Sequence, residues 1–234
     1  MFDHNGTSFH IIVSIVRIFL AHCITDAFEP YIAQYHGNFM VRASLPQILS
    51  STGFTLYLFV ICLVLALLEI QIEGADGWAS ALPTWRIQPK WLLRLTSGKA
   101  ITGYHIGLNS LLLLWLHLPF WFVPWNWSAE FTIAGTYFLM AVQWDFLWFV
   151  LNPHFGLRRF SRARIWWFRN WYLGIPREYY VGLILSLSAW LAAGVLNGTR
   201  SWDSARRWLL CALTLLALTF CAALWARFRH RRLQ

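Results

Sequence analysis

Gln143-Trp-Asp-Phe-Leu-Trp-Phe-Val-Leu-Asn-Pro-His154 closes a long apolar run that begins near Phe131. The run is helical in length, and Pro153 sets its end, because proline lacks the amide hydrogen and clashes with the preceding turn. Inside it stands one acid, Asp145, among tryptophans. Asn152 follows seven residues later and falls on nearly the same helical face. A carboxyl group in hydrocarbon is costly, so it faces a partner or a cavity and marks a functional site by default.

The rest of the chain has the same character. Of 234 residues, 58% are hydrophobic and 12% charged, about half the charged share of a soluble domain. Sixteen tryptophans fit a membrane protein, since indole rings favour the membrane–water interface. A span needs about 20 mostly apolar residues. Six stretches qualify, roughly 8–28, 47–69, 101–124, 130–152, 178–196 and 207–227. With no water to satisfy the backbone, these are helices, and the alternation of a membrane barrel is absent. The expected architecture is all-α, a polytopic integral membrane protein forming one domain over 1–234. The first apolar run is expected to be retained, because no basic residue precedes it and no small-residue cleavage site follows it.

Charge orients this model. Arg86, Lys90, Arg94 and Lys99 lie between the second and third spans. Arg158, Arg159, Arg162, Arg164, Arg169 and Arg177 lie between the fourth and fifth, and Arg227, Arg229, Arg231 and Arg232 in the tail. The opposite side holds Arg42, Arg200, Arg206 and Arg207. Fourteen against four places both termini in the cytoplasm under the positive-inside rule. The net charge of +9 therefore points to anionic lipid headgroups at the arginine-rich loops rather than to nucleic acid. Phe160–Tyr172, with its interleaved arginines and aromatics, suits a segment lying in that interface or a lip that binds headgroups. Asp76–Trp91, punctuated by Pro83 and Pro89, reads as a folded connection.

The topology sorts the polar residues by side. His10, Glu69, Glu73, His105, Asp145, His154 and Glu178 fall on the cytoplasmic side, with Asn109 and Asn152. His105 and Asn109 share a helical face, as do Glu69 and Glu73. Two expectations follow for Asp145. It is paired with Arg17, which lies at a similar depth in the first span. Alternatively it is a catalytic acid, base or metal ligand in an apolar pocket, with His105, Asn109, Asn152 and His154 positioning it. On the outer side, His22, Asp26 and Glu29 are spaced i, i+4, i+7. That face is either a solvated helix mouth or a divalent-metal site. His10 with His22 and His105 with His117 are each twelve apart. Twelve residues turn a helix by about 120° from a shared face, which argues against stacked haems.

Cys23, Cys62, Cys211 and Cys221 all fall in apolar stretches, with no CxxC pair, and read as small buried hydrophobes. Hydrolase, metalloprotease, di-iron and nucleotide motifs are absent, so no cofactor is named. Asn5, Asn126 and Asn197 head glycosylation acceptor triplets, which matter only in a secretory membrane.

Trp144–Pro153, WDFLWFVLNP, resembles the acid–aromatic helix motif of the small, heterodimer-type membrane lycopene cyclases. Asp145 matches the second acid of that motif, and Trp144 stands at the first. The resemblance covers ten residues. It implies a helical protein that initiates cyclisation of a polyene by protonation, without a nucleotide cofactor. The functional expectation is a membrane-embedded enzyme working on a lipid or isoprenoid by acid–base chemistry. The alternatives are a transporter or channel component, a structural or assembly subunit, and a haem or metal redox protein.

Overall fold

The computed structural model describes residues 52–96 and 98–232. The first expected span, with His10, Arg17, His22, Asp26 and Glu29, lies outside the described residues. What is described is mostly helical. Helix α1 is Thr52–Glu73, α2 Lys90–Leu95, α3 Gly103–His117, α4 Trp127–Leu151, α5 Gly156–Arg159, α6 Arg177–Leu196 and α7 Ser201–Arg232. Two short antiparallel pairs brace the connections. Strand β1 (Arg86–Ile87) pairs with β2 (Ile101–Thr102), and β3 (Trp171–Tyr172) with β4 (Ile175–Pro176).

Four helices are long and apolar enough to cross a membrane: Thr52–Glu73, Trp127–Leu151, Arg177–Leu196 and Ser201–Phe228. They correspond to the second, fourth, fifth and sixth expected spans. The third, expected over 101–124, is shorter than its apolar run. Its first two residues are committed to β2, and the α-helix stops at His117. Pro119 then sits in a single 3₁₀ turn, Leu118–Trp121, where its missing amide hydrogen costs nothing.

Helix α4 is the axis of the bundle, with α1, α3, α6 and α7 all packed on it. Its Met140, Leu147, Phe149 and Trp148 are buried together with Leu58, Cys62 and Ala66 of α1. The chain runs up and down. Glu73, His105, Asn152 and Tyr179 gather at one end, and His117, Ser128 and Ala193 at the other. Away from α4 the helices present leucine and aromatic rings outward: Leu111 and Leu114 on α3, Ile184 on α6, Leu213, Leu216 and Phe220 on α7. An apolar surface this extensive is unfavourable in water and favourable in lipid. The four helices and their outward faces fit a membrane-embedded protein.

Phe160–Tyr172 does more than lie in an interface. Ile165, Trp167 and Phe168 turn inward and are buried, whereas Arg162 and Arg164 stay exposed. The Trp167 ring stacks on Phe149 of α4, centroids 5.8 Å apart and 15° from parallel. The segment thus closes one end of the bundle. Of the cysteines described, Cys62 and Cys211 are buried and Cys221 is exposed.

Candidate functional site

The closed end of the bundle contains a polar centre. It begins with α1, whose buried residues Leu58, Cys62, Ala66, Glu69 and Glu73 recur every three or four positions. The two glutamates continue the apolar seam by which α1 packs on α4, so helical geometry alone aims both carboxylates inward. Both are under a tenth exposed.

After Glu73 the chain turns sharply. Gly74, Gly77, Trp78 and Ala79 all have positive φ, a conformation that strains the two non-glycine residues. The turn is held in part by Glu73 itself, whose Oε1 accepts the Ala79 N–H at 2.5 Å. It also lays the Trp78 ring on the His105 imidazole, centroids 4.3 Å apart.

Helix α3 supplies the histidine. Thr102 caps its first turn, its hydroxyl accepting the His105 N–H at 3.2 Å. The same hydroxyl lies 2.7 Å from His105 Nδ1. One threonine therefore starts the helix and fixes the ring. Nε2 is turned to the other side, 3.7 Å from Glu73 Oε1. Glu69, Glu73 and His105 each bring a ligand atom to within 4.8 Å of the others.

Asp145 enters from α4 and Tyr179 from α6, and the tyrosine hydroxyl donates to Asp145 Oδ2. Phe146, Phe160 and Phe168 enclose the Tyr179 ring. Asp145 is close enough to Glu69 and Glu73 for their charges to interact. Next to Tyr179, both carboxylate oxygens of Glu178 are buried without a hydrogen-bond partner among the described residues.

Lys99 is the cation of the group. Its Nζ lies 4.4 Å above the Trp78 ring and 4.3 Å above Phe168, and the residue is 7% exposed. Burial holds its ammonium below the ordinary lysine range, while Glu178 and Asp145 partly offset that and Arg177 adds to it.

The residues expected at the site fall into two sets. Asp145 and His105 belong to the buried centre. The two asparagines have other attachments. Asn109 donates to the His105 carbonyl at 2.7 Å and accepts the Tyr137 hydroxyl at 2.8 Å, tying α3 to α4. Asn152 ends α4, donating to Gly74 O at 2.8 Å and accepting the His154 N–H at 2.9 Å. His154 itself is exposed, in a groove of about 240 Å³ shared with Ala75, Phe155, Arg159 and Arg164. The expected Arg17 partner and the His22–Asp26–Glu29 set lie outside the described residues. The twelve-residue pair His105 and His117 occupies opposite ends of α3. His117 is engaged there by Glu130 at 3.1 Å and by the Leu113 carbonyl at 2.7 Å.

Tyr179, Lys99, Trp78 and Thr102 did not stand out in the sequence. Lys99 reads only as a loop charge in the sequence, and nothing there singles out Tyr179. A lysine two residues before a strand and an aromatic at the third position of a helix carry no periodic signal.

No protein-family model matches the chain, and neither the curated proteins nor the solved structures contain a match to it. The resemblance to the small lycopene cyclases therefore rests on its ten residues alone.

Proposed function

We propose that this protein is a membrane-embedded enzyme that transforms a lipid by acid–base chemistry at the buried centre. One observation carries the reading. Four helices and the loop before β2 converge their polar groups, Glu69, Glu73, His105, Asp145, Tyr179 and Lys99, inside an otherwise apolar bundle, beside the strained turn at Trp78 and Ala79. Such a group costs stability, because each charge must be desolvated. Strain and buried charge held together in this way are the usual signature of a site kept for chemistry.

The roles follow from the contacts. Asp145 and Tyr179 share a proton donor and acceptor along one hydrogen bond, so together they deliver or remove a proton. Lys99, set between two aromatic rings, stabilises negative charge that develops beside Asp145. The groove with His154, Arg159 and Arg164 adjoins the end of α1 through Ala75. Its chemistry suits an anionic headgroup, with the acyl or polyene chain in lipid. We place this end in the cytoplasm on the bias of the arginines, with both termini on that side. A polyene is the substrate that the ten-residue resemblance implies.

Native mass spectrometry with lipid extraction on the detergent-purified protein tests this reading. A lipid retained by the wild type and lost on changing Arg159 and Arg164 to glutamine is the expected result. A chain that carries no lipid under any mild detergent goes against it. The ultraviolet–visible spectrum of the extract tells a polyene from a phospholipid.

A further inference from the structure

We propose that Glu69, Glu73 and His105 form a mononuclear site for a first-row divalent metal ion, of the Zn²⁺, Fe²⁺ or Mn²⁺ class. The inference takes the same buried centre as the reading above and adds an ion to it.

The donor set is mixed, with two carboxylates from one helix face and an imidazole from another. Its ligand atoms lie within 4.8 Å of one another. The histidine is oriented as metal-bound histidines are. The Thr102 hydroxyl lies 2.7 Å from Nδ1, and in the tautomer in which Nδ1–H donates to it, Nε2 is left for a ligand. Nε2 faces Glu73 Oε1 at 3.7 Å, too far for a hydrogen bond. Two donors each about 2.1 Å from a tetrahedral ion stand roughly 3.4 Å apart, close to that gap. The other histidine–carboxylate contact among the described residues, His117 with Glu130 at the opposite end of α3, closes to 3.1 Å as a direct hydrogen bond.

Two further observations point to a ligand. The indole N–H of Trp144 is buried, makes no close hydrogen bond among the described residues and has the Glu69 carboxylate as its nearest acceptor, and the ring is 6% exposed. It stands beside Glu69. Once one Glu69 oxygen is committed to a metal, the other is fixed as an acceptor for that N–H. The Tyr104 hydroxyl is likewise buried without a partner among the described residues, within electrostatic reach of Glu69 and Glu73. A metal-bound water would give that hydroxyl an acceptor. Two glutamates four residues apart on a buried face also repel each other, and either a shared proton or a cation relieves that. Three protein ligands leave coordination positions open, the pattern of catalytic rather than structural sites.

The test is metal analysis of the detergent-purified protein, before and after chelation, followed by reloading with Zn²⁺ or Co²⁺. About one equivalent per chain is expected. Glu73→Gln and His105→Ala should each lower it at least tenfold, whereas Asp145→Asn keeps it. Co²⁺ reports on the ligands directly. The wild type should show visible ligand-field bands, and His105→Cys should add a near-ultraviolet thiolate band, which only a folded site can give. A protein that takes up less than a tenth of an equivalent on reloading overturns the proposal, leaving a shared proton between the glutamates. So does uptake that His105→Ala and Glu73→Gln leave unchanged. The two readings fail separately. Lipid turnover without metal removes the ion and keeps the acid–base site. Stoichiometric metal without any lipid turnover keeps the ion and removes the enzyme.

Discussion

Tyr179 and Asp145 show how a single contact organises the site. The Tyr179 hydroxyl is the group placed on Asp145 Oδ2, deep in apolar surroundings where an unsatisfied oxygen costs about 1–3 kcal/mol. Tyr179→Phe should lower stability by that amount, measured by thermal unfolding in detergent, and should abolish proton transfer through Asp145. An unchanged melting temperature would mean that water replaces the hydroxyl. Lys99 gives a second residue-scale prediction. Its ammonium titrates below the ordinary lysine value of 10.5 in the fold, because it is buried. The unfolded chain then binds more protons, so stability rises with pH from the depressed value up to about 10.5. Lys99→Met removes this dependence. The wild-type melting temperature should climb relative to that variant across the alkaline window, and a constant difference would contradict the burial argument.

Part of this centre was legible in the sequence. The i, i+4 spacing put Glu69 with Glu73 on one face, and the span order put both on the side of His105 and Asp145. Spacing also paired Asp145 with Asn152, but being at the last turn of a helix made Asn152 a cap instead. Tyr179 and Lys99 depended on how a loop folds back, and no short-range pattern encodes that.

At the scale of elements, α4 was the most legible, since Asn126 caps it and Pro153 follows its end. Helix α3 was the least. Its apolar run has the length of a span, yet pairing of Ile101 and Thr102 with β1 takes its first residues and Pro119 breaks its last. Phe160–Tyr172 was hard for another reason. Interleaved arginines and aromatics look alike whether the rings enter lipid or enter the protein, and here three residues enter the protein. The most extensive helix contact lies between α4 and α6. A Cβ on Gly135 would run into the Trp190 ring and stand 2.9 Å from the Ser186 carbonyl, where Ser186 also donates to the Gly135 carbonyl at 2.7 Å. Gly135→Ala should therefore force α4 and α6 apart and cost about 1–3 kcal/mol, read as a fall in melting temperature. Gly107→Ala, with nothing within 4 Å, should cost little and serves as the control.

On the scale of the whole molecule, a bundle with leucine outside and carboxylates inside inverts the order of a soluble domain. The four apolar helices set the environment, and the alternation of their ends, with the first turn of α3, brings Glu73, His105, Asp145 and Tyr179 together. The arginine bias predicts that this end faces the cytoplasm. A reporter active only in the cytoplasm, fused after Gln234, should be active, and an inactive one would invert the model. The rival roles differ in what the buried centre does. A transporter needs a continuous water path past Asp145, and an assembly subunit needs only that the polar groups be satisfied. The measurement that separates them from an enzyme is lipid turnover. Vesicles of lipid extracted from the host membrane would carry the wild type, Asp145→Asn or no protein, and would be compared by liquid chromatography and mass spectrometry. One lipid species should be consumed, and a product formed, with the wild type alone. Identical lipid profiles in all three, with the wild type folded and oriented, would contradict it.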